Sequence, residues 1–273
     1  MITKHYHFET IDSTNKKAKE LAQEGAVHGT LVTADSQVAG IGRRGRSWSS
    51  EKAAGIYMSM LLRPKINTDK ASMLTLVAAL AIEKAIAELL DCQAMIKWPN
   101  DLVLNKKKIC GILTEMALDG TEIDYVVIGI GINVNNKAFP EEIIQTASSL
   151  SIELGREVDK ELLIRAVWKQ FTEYYELFMQ TGDLSLLQDA YEKVLINKGE
   201  KVKVLDPLGE YTGFAKGITN TGELIVDAEG EIRYVSGGEV SVRGNQDSLK
   251  ISLKVIVCPK FYKFLSSRGI FPS

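Results

Sequence analysis

Apolar and polar residues alternate along "HYHFETI" (5–11), the two-residue period of a strand with one buried face. The period lengthens straight afterwards. In "TNKKAKELAQEG", Ala18, Leu21 and Ala22 share one helical face, with Ser13 placed to cap the start and Gly25 to end it. "GTLVTADS" (29–36) and "IYMSMLL" (56–62) read as strands again. Residues 69–90 read as a long helix capped by Asp69, and the apolar content of "MLTLVAALAI" (73–82) predicts deep burial. "AMIKW" (94–98), "KICGILTEMAL" (108–118) and "EIDYVVIGIGINV" (122–134) follow as three close strands. "KWPNDLVLNKKK" joins the first two through a turn at Trp98–Pro99, because the residue before a proline is pushed out of the helical region. Two further helices are predicted over 159–180 and 184–196.

At Gly199 the texture changes. "EKVKVLD", "EYTGFAKGI", "GELIVDA", "EIRYVSG" and "EVSVR" are short strands separated by turn signals, the pattern of a small β-barrel. The expected fold class is α+β: a mixed β-sheet backed by helices over residues 1–196, then a small barrel over 197–244. The tail, 245–273, contains the strand-like "LKISLKVIV" and has no assigned role.

Composition excludes several classes. The 273 residues are 45% hydrophobic and carry a net charge of −2, so no overall basic field marks a nucleic-acid protein. Cys92, Cys110 and Cys258 are too scattered for a disulfide framework or a metal knuckle, which suits a reducing cytoplasm. The opening "MITKHYHFET" is too polar for a signal peptide, and the longest apolar run falls short of the about 20 residues that cross a bilayer. His5, His7 and His28 lack the neighbours of metal ligands.

The candidate chemistry starts at "GIGRRGRSW" (40–48). Gly40, Gly42 and Gly45 fit a dinucleotide spacing, but "RSWSSEKAAG" has no helical period after the third glycine. The ribose-holding acid expected about 20 residues on is also missing, since that stretch reads "LLRPKI". Arginines beside Trp48 would suit stacking on bases, yet the cluster is single. Solvated loop charges are the plain alternative. Against it stand two more polar clusters at strand ends: "KWPND" with "KKKICG", and "GIGINV" ending in Asn133. Three such clusters predict one convergent pocket.

In order and spacing, "DSTN" (12–15), "GIGRRGRSW", "KWPNDL" (97–102), "KKICGIL" (107–113) and "GIGINV" (129–134) resemble the motifs of biotin–protein ligases. "KWPND" followed eleven residues after its lysine by Lys108, then Gly111, is the most specific part. The resemblance spans about residues 5–244 and likens the β-rich segment to that family's SH3-like C-terminal domain. It implies ATP- and Mg²⁺-dependent formation of biotinyl-AMP, followed by transfer to a lysine of a biotin carboxyl carrier protein. It implies biotin contacts from Ser13, Thr14, Asn15, Gln37, Gly40, Ile41, Gly42, Arg43, Lys108 and Gly111. Nucleotide contacts would come from Arg43, Arg46, Trp48, Asn100, Asn133 and Arg243. Arg43 and Lys108 would act on the carboxyl and phosphate, and Asp101 would orient the incoming amine; the protein supplies no metal site of its own.

Some members carry a DNA-binding winged helix, for which strand 5–11 leaves no room here, so neither DNA nor a membrane is an expected partner. A homodimer is compatible with this reading. Two departures stand out: Ile41 occupies a position where the family has arginine, and the tail is additional. Two readings remain beside the main one: a lipoate or octanoate transferase on the same scaffold, and a non-catalytic ligand or nucleic-acid binding module. Residue by residue, the plain alternatives are capping alone for Ser13 and a hydrophobic anchor for Trp48.

Overall fold

The structure, a computed structural model, describes residues 2–48, 50, 52–205, 209–236 and 241–244; the tail 245–273, with its expected strand, lies outside them, as do the side chains of Arg44 and 241–244. The larger sheet has seven strands: β1 (Lys4–Ile11), β2 (Thr30–Gln37), β3 (Ile56–Leu62), β4 (Met95–Lys97), β5 (Asp101–Leu104), β6 (Lys107–Asp119) and β7 (Glu122–Ile132). Their order is β1-β2-β3-β7-β6-β5-β4. Only β1 and β2 run parallel, and helix α1 (Thr14–Gln23) makes the crossover that a parallel pair needs. The other neighbours pair antiparallel.

Strand alternation sends two hydrophobic sets to opposite faces. Met58, Met60, Ile128 and Ile130 face α2 (Met73–Leu90) and, behind it, α4 (Lys160–Thr181). Val32, Leu61, Tyr125 and Val127 face Ala18, Leu21 and Ala22 of α1. Apart from a few positions at its ends and on one side, α2 is wholly buried, as its composition predicts.

Several boundaries differ from the sequence reading. Asp69 does not cap α2; it sits in a 3-10 turn, Thr68–Lys70, whose successors Ala71 and Ser72 already offer carbonyls to the amides of Leu74 and Thr75. Main-chain acceptors thus replace the side-chain cap. The second late helix is shorter than 184–196: α5 spans Gln188–Lys193, and α3 (Leu150–Leu154) was not expected. "KWPNDLVLNKKK" is more than a connection, because its Leu102, Val103 and Leu104 are buried in β5. Asn105 and Lys106 both have positive φ, the geometry of a two-residue hairpin into β6.

The second sheet is antiparallel and five-stranded: β8 (Lys201–Leu205), β9 (Tyr211–Ile218), β10 (Leu224–Ala228), β11 (Glu231–Val235) and β12 (Ser241–Gly244). Its inner side chains include Val202, Val204, Ala215, Leu224 and Val226, all buried. It docks on the first sheet through polar bonds as well as apolar contact. The Trp98 indole N–H donates to the Gly222 carbonyl at 2.9 Å, and the Leu184 amide to that of Asn220 at 2.8 Å. Among the described residues, no helix is long and apolar enough to cross a membrane.

Candidate active site

A cavity opens on the α1 face of the large sheet. Ser13, at the cap position of α1, puts Thr14 and Asn15 in the first helical turn, and all three are buried. Ser13 makes no side-chain capping bond, so the helix start leaves its hydroxyl uncommitted to that role. Gln37, at the end of β2, accepts from the Thr14 amide at 2.8 Å and from its hydroxyl at 3.1 Å. Ser59 of β3 lies 2.8 Å from the Thr14 hydroxyl and 2.6 Å from Asn15 Oδ1. The Asn15 amide nitrogen donates to Glu115 at 2.8 Å, and Lys19 pairs with the same carboxylate at 2.9 Å. This fixes which way the Asn15 amide points.

These oxygens outnumber the protons available to them. The hydroxyls of Thr14 and Ser59 bring two protons to three oxygen–oxygen contacts. A ligand presenting N–H groups completes such a cluster, whereas an apolar one leaves buried acceptors short, at about 1–3 kcal/mol each.

The arginine stretch forms a small hairpin over this cavity. Gly42 N–H bonds to the Arg46 carbonyl at 2.7 Å and Trp48 N–H to that of Gly40 at 2.8 Å, around a 3-10 turn at Arg43–Gly45. Gly45 takes φ +71°, a left-handed value open to glycine. Among the described residues the next element after it is β3, whereas a dinucleotide-binding loop opens directly into a helix. Ile41 lines the cavity although it is 52% exposed, and its backbone pairs with that of Ser47 across the hairpin.

Two cations and two acceptors link into a chain along the rim. Arg43 donates to Asn100 Oδ1 at 2.8 Å, Asn100 donates to Asp101 Oδ1 at 3.1 Å, and Lys108 pairs with that same oxygen at 2.7 Å. The hairpin turn between β5 and β6 is what brings Lys108 beside Asp101. An anion entering between Arg43 and Lys108 meets both charges at once. Burial pushes the Cys110 thiol up despite the nearby Lys108, so it stays protonated and is no nucleophile.

Trp48 fills the remaining side. A Cβ placed on Gly131 would lie 2.5 Å from the indole, and one on Gly111 2.8 Å from it, so both glycines serve as its seat. The Lys108 ammonium sits 5.4 Å from the ring centroid, and the indole N–H is buried with no hydrogen-bond partner among the described residues. Gly129 performs the same service for Asn15, whose Oδ1 would be 2.1 Å from a Cβ there.

The cavity lining therefore gathers Ser13, Thr14, Asn15, Gln37, Ile41, Gly42, Arg43, Trp48, Asn100, Lys108 and Gly111 from the expected set. Others stand apart from it. Gly40 touches Trp48 by its backbone, Asp101 joins through Lys108, and Arg46 is exposed on the hairpin. Asn133 is buried beyond the end of β7 and donates to the Ser148 carbonyl at 3.0 Å. Arg243 lies in β12, with its side chain outside the described residues. Sequence reasoning missed Ser59, Glu115, Gly129 and Gly131. The last two carried a signal, since "GIGI" sets two glycines on one face of a strand, a mark of close approach.

Compared with known proteins, residues 7–133 match the Biotin/lipoate A/B protein ligase family, and residues 199–243 match the Biotin protein ligase C terminal domain. The Bifunctional ligase/repressor BirA of Bacillus subtilis (strain 168) is 38% identical over 241 residues, which cover 87% of this chain and 73% of that one. The Biotin--[acetyl-CoA-carboxylase] ligase of Paracoccus denitrificans is 31% identical over 240 residues, covering 85% and 98%. The solved structure of the biotin protein ligase from Aquifex aeolicus in complex with biotin and ATP superposes with a TM-score of 0.79 at 31% identity, covering 89% of this chain and all of that one.

Proposed function

This chain belongs to the biotin/lipoate A/B protein ligase family, and from that premise we propose that it uses ATP to join biotin to a lysine of a biotin carboxyl carrier protein. One observation carries the assignment: a buried hydroxyl–amide cluster short of protons lies in the same cavity as a rim bearing two cations. The ureido ring brings two N–H groups and a carbonyl, which suit Thr14, Asn15, Ser59 and Gln37. A lipoyl dithiolane or an octanoyl chain brings no such donors and leaves those acceptors unpaired, which selects against the alternative acids.

In this reading the biotin carboxylate attacks the α-phosphate of ATP; a carboxyl-oxygen-to-phosphorus bond forms and pyrophosphate leaves. Arg43 and Lys108 offset the charge of the two anions being pressed together. Mg²⁺ would arrive with the ATP phosphates and share that neutralisation. A protein cage for it has no support, since no cluster of three or more His, Cys, Asp or Glu suited to a metal occurs among the described residues. Trp48 offers its ring face to adenine, and Asn100 stands ready for the nucleotide, with Arg46, Asn133 and Arg243 as outer contacts.

Transfer then follows. A carrier lysine that has lost one proton to solvent attacks the acyl carbon, a carbon–nitrogen bond forms, and AMP leaves with the electrons of the broken carbon–oxygen bond. The second amine proton passes to Asp101, whose Lys108 partner is by then engaged with phosphate. Residues 1–196 form the catalytic domain of this scheme and 197–244 an SH3-like C-terminal domain, working in the cytoplasm.

Biotin-dependent exchange of labelled pyrophosphate into ATP tests the first step without any acceptor. The wild type should exchange, and Arg43→Ala or Lys108→Ala should abolish it. Exchange with lipoate or octanoate but not biotin would overturn the substrate, and silence with every acid would leave a binding module instead.

A further inference from the structure

Beyond the wall of the first cavity lies a second, of about 360 Å³, which shares Arg43, Asn100, Ile112 and Leu113 with it. The topology explains the gap. Strand β5 accompanies β6 only as far as the Asp101–Gly111 pair, so past Ile112 the side of β6 away from β7 has no strand beside it among the described residues. The first turn of α2, the Trp98–Pro99 corner and the Thr221–Glu223 turn of the second sheet enclose that space.

Its lining is mostly neutral, with hydroxyls such as Thr75 and Thr114, which bond to each other at 2.8 Å, and the thioethers of Met73 and Met116. Among the described residues two of the lining are charged: Arg43, shared with the first cavity, and Glu223 on the wall given by the second sheet. Glu223 Oε2 accepts from Thr221 at 3.1 Å and Thr219 at 3.4 Å, while Oε1 has no hydrogen-bond partner and no cation pairs with the carboxylate among the described residues.

We propose that this second cavity admits the acceptor's lysine, with Glu223 receiving its ammonium and the apolar wall its flanking side chains. The inference rests on the ligase reading above. A chain of phosphates calls for several cations, and the described lining residues include one. A purely apolar occupant would bury the Glu223 carboxylate without return. An ammonium on a flexible hydrocarbon stem satisfies both kinds of wall, its head on Glu223 and its stem along Met116 and Ile112. Two methionines give an adaptable surface for whatever residues flank the lysine. Passing inward, the ammonium leaves Glu223 and releases one proton to solvent as it nears Arg43, a positive charge that favours the neutral, nucleophilic form.

The test separates the two half-reactions in the full-length protein, using a purified bacterial biotin carboxyl carrier domain as the acceptor probe. Glu223→Gln should raise the acceptor KM roughly tenfold and Glu223→Lys further, while biotin-dependent pyrophosphate exchange stays within about twofold of wild type. Met116→Trp, which plugs the cavity from an exposed position, should act likewise, and Glu231→Lys on the outer face of the same sheet should change neither reading. Unchanged acceptor KM in Glu223→Lys and Met116→Trp would overturn the proposal. So would a Glu223→Lys variant whose main change is a lower ATP KM, since that would mark a phosphate site. A wild type without biotin-dependent exchange would instead remove the ligase reading, and this inference with it.

Discussion

Replacing Gly131 by alanine isolates the seat of Trp48. The glycine lies in β7 without a positive φ, so alanine costs no backbone strain there and slightly favours the strand. The added methyl carbon would stand 2.5 Å from Trp48 Cε2, 2.6 Å from Nε1 and 2.8 Å from Cζ2. Carbon atoms settle at about 3.5–4.0 Å, so the ring must retreat by about 1 Å or more. The hairpin can yield, because Trp48 sits beside its open end, whereas β7 is clamped between β3 and β6. A displacement of that size at a positioning surface costs on the order of 10²-fold in rate. Gly131→Ala should therefore lower biotin-dependent pyrophosphate exchange by roughly ten- to a hundredfold, chiefly through ATP, with the melting temperature unchanged or slightly raised. Exchange kinetics against ATP concentration, with a thermal melt of the same sample, give both readings. Exchange within twofold of wild type would refute the argument that the indole's seat matters. Gly129→Ala makes the contrast: its methyl strikes buried Asn15 at 2.1 Å, inside a cluster that cannot retreat, and should cost both stability and biotin binding.

Asp101→Asn should leave exchange nearly intact but slow biotin transfer by at least about tenfold, because the amide cannot take the amine's proton; equal losses in both assays would contradict its assignment. Its Lys108 ion pair is partly exposed, so unfolding free energy should change by no more than about 1 kcal/mol. Glu83, buried in α2, is pushed up by burial from 4.5 to about 7. The native state then holds a proton that the unfolded chain releases, so stability falls as pH rises from 4.5 to 7 and stays lower above it. Glu83→Gln should remove that loss, on the order of 3 kcal/mol. Urea midpoints at pH 5 and pH 8 check it, and a wild type equally stable at both, relative to the variant, would sink the idea. Trp98→Phe leaves the Gly222 carbonyl without its 2.9 Å indole donor and should destabilise the chain by about 1–3 kcal/mol, visible as a drop of a few degrees in Tm; an unchanged Tm would mean the sheets dock without this bond.

What the sequence determined by itself was local. Period two and period 3.6 separate "HYHFETI" from the helix after Ser13, and the wholly apolar run at 73–82 marks the buried helix, because a side chain's direction repeats with its own backbone. The motif residues were legible for the same reason: Arg43, Asn100 and Lys108 are fixed in order and spacing along the chain. Pairing was decided elsewhere. "LVLNK" is a strand and a two-residue hairpin only because β4 and β6 flank it, and short apolar runs take their state from such neighbours. Asp69 lost its capping place to carbonyls of the turn beside it. The roles of Ser59, Glu115, Gly129 and Gly131 depend on Asn15 and Trp48 arriving from distant segments. Glu223 meets the space beside β6 only because Trp98 and Leu184 hold the second sheet against the first. A residue type states what chemistry is on offer; which groups stand within 3 Å of one another is set by the packing of the sheet, because hydrogen bonds and charge pairs act only at that range.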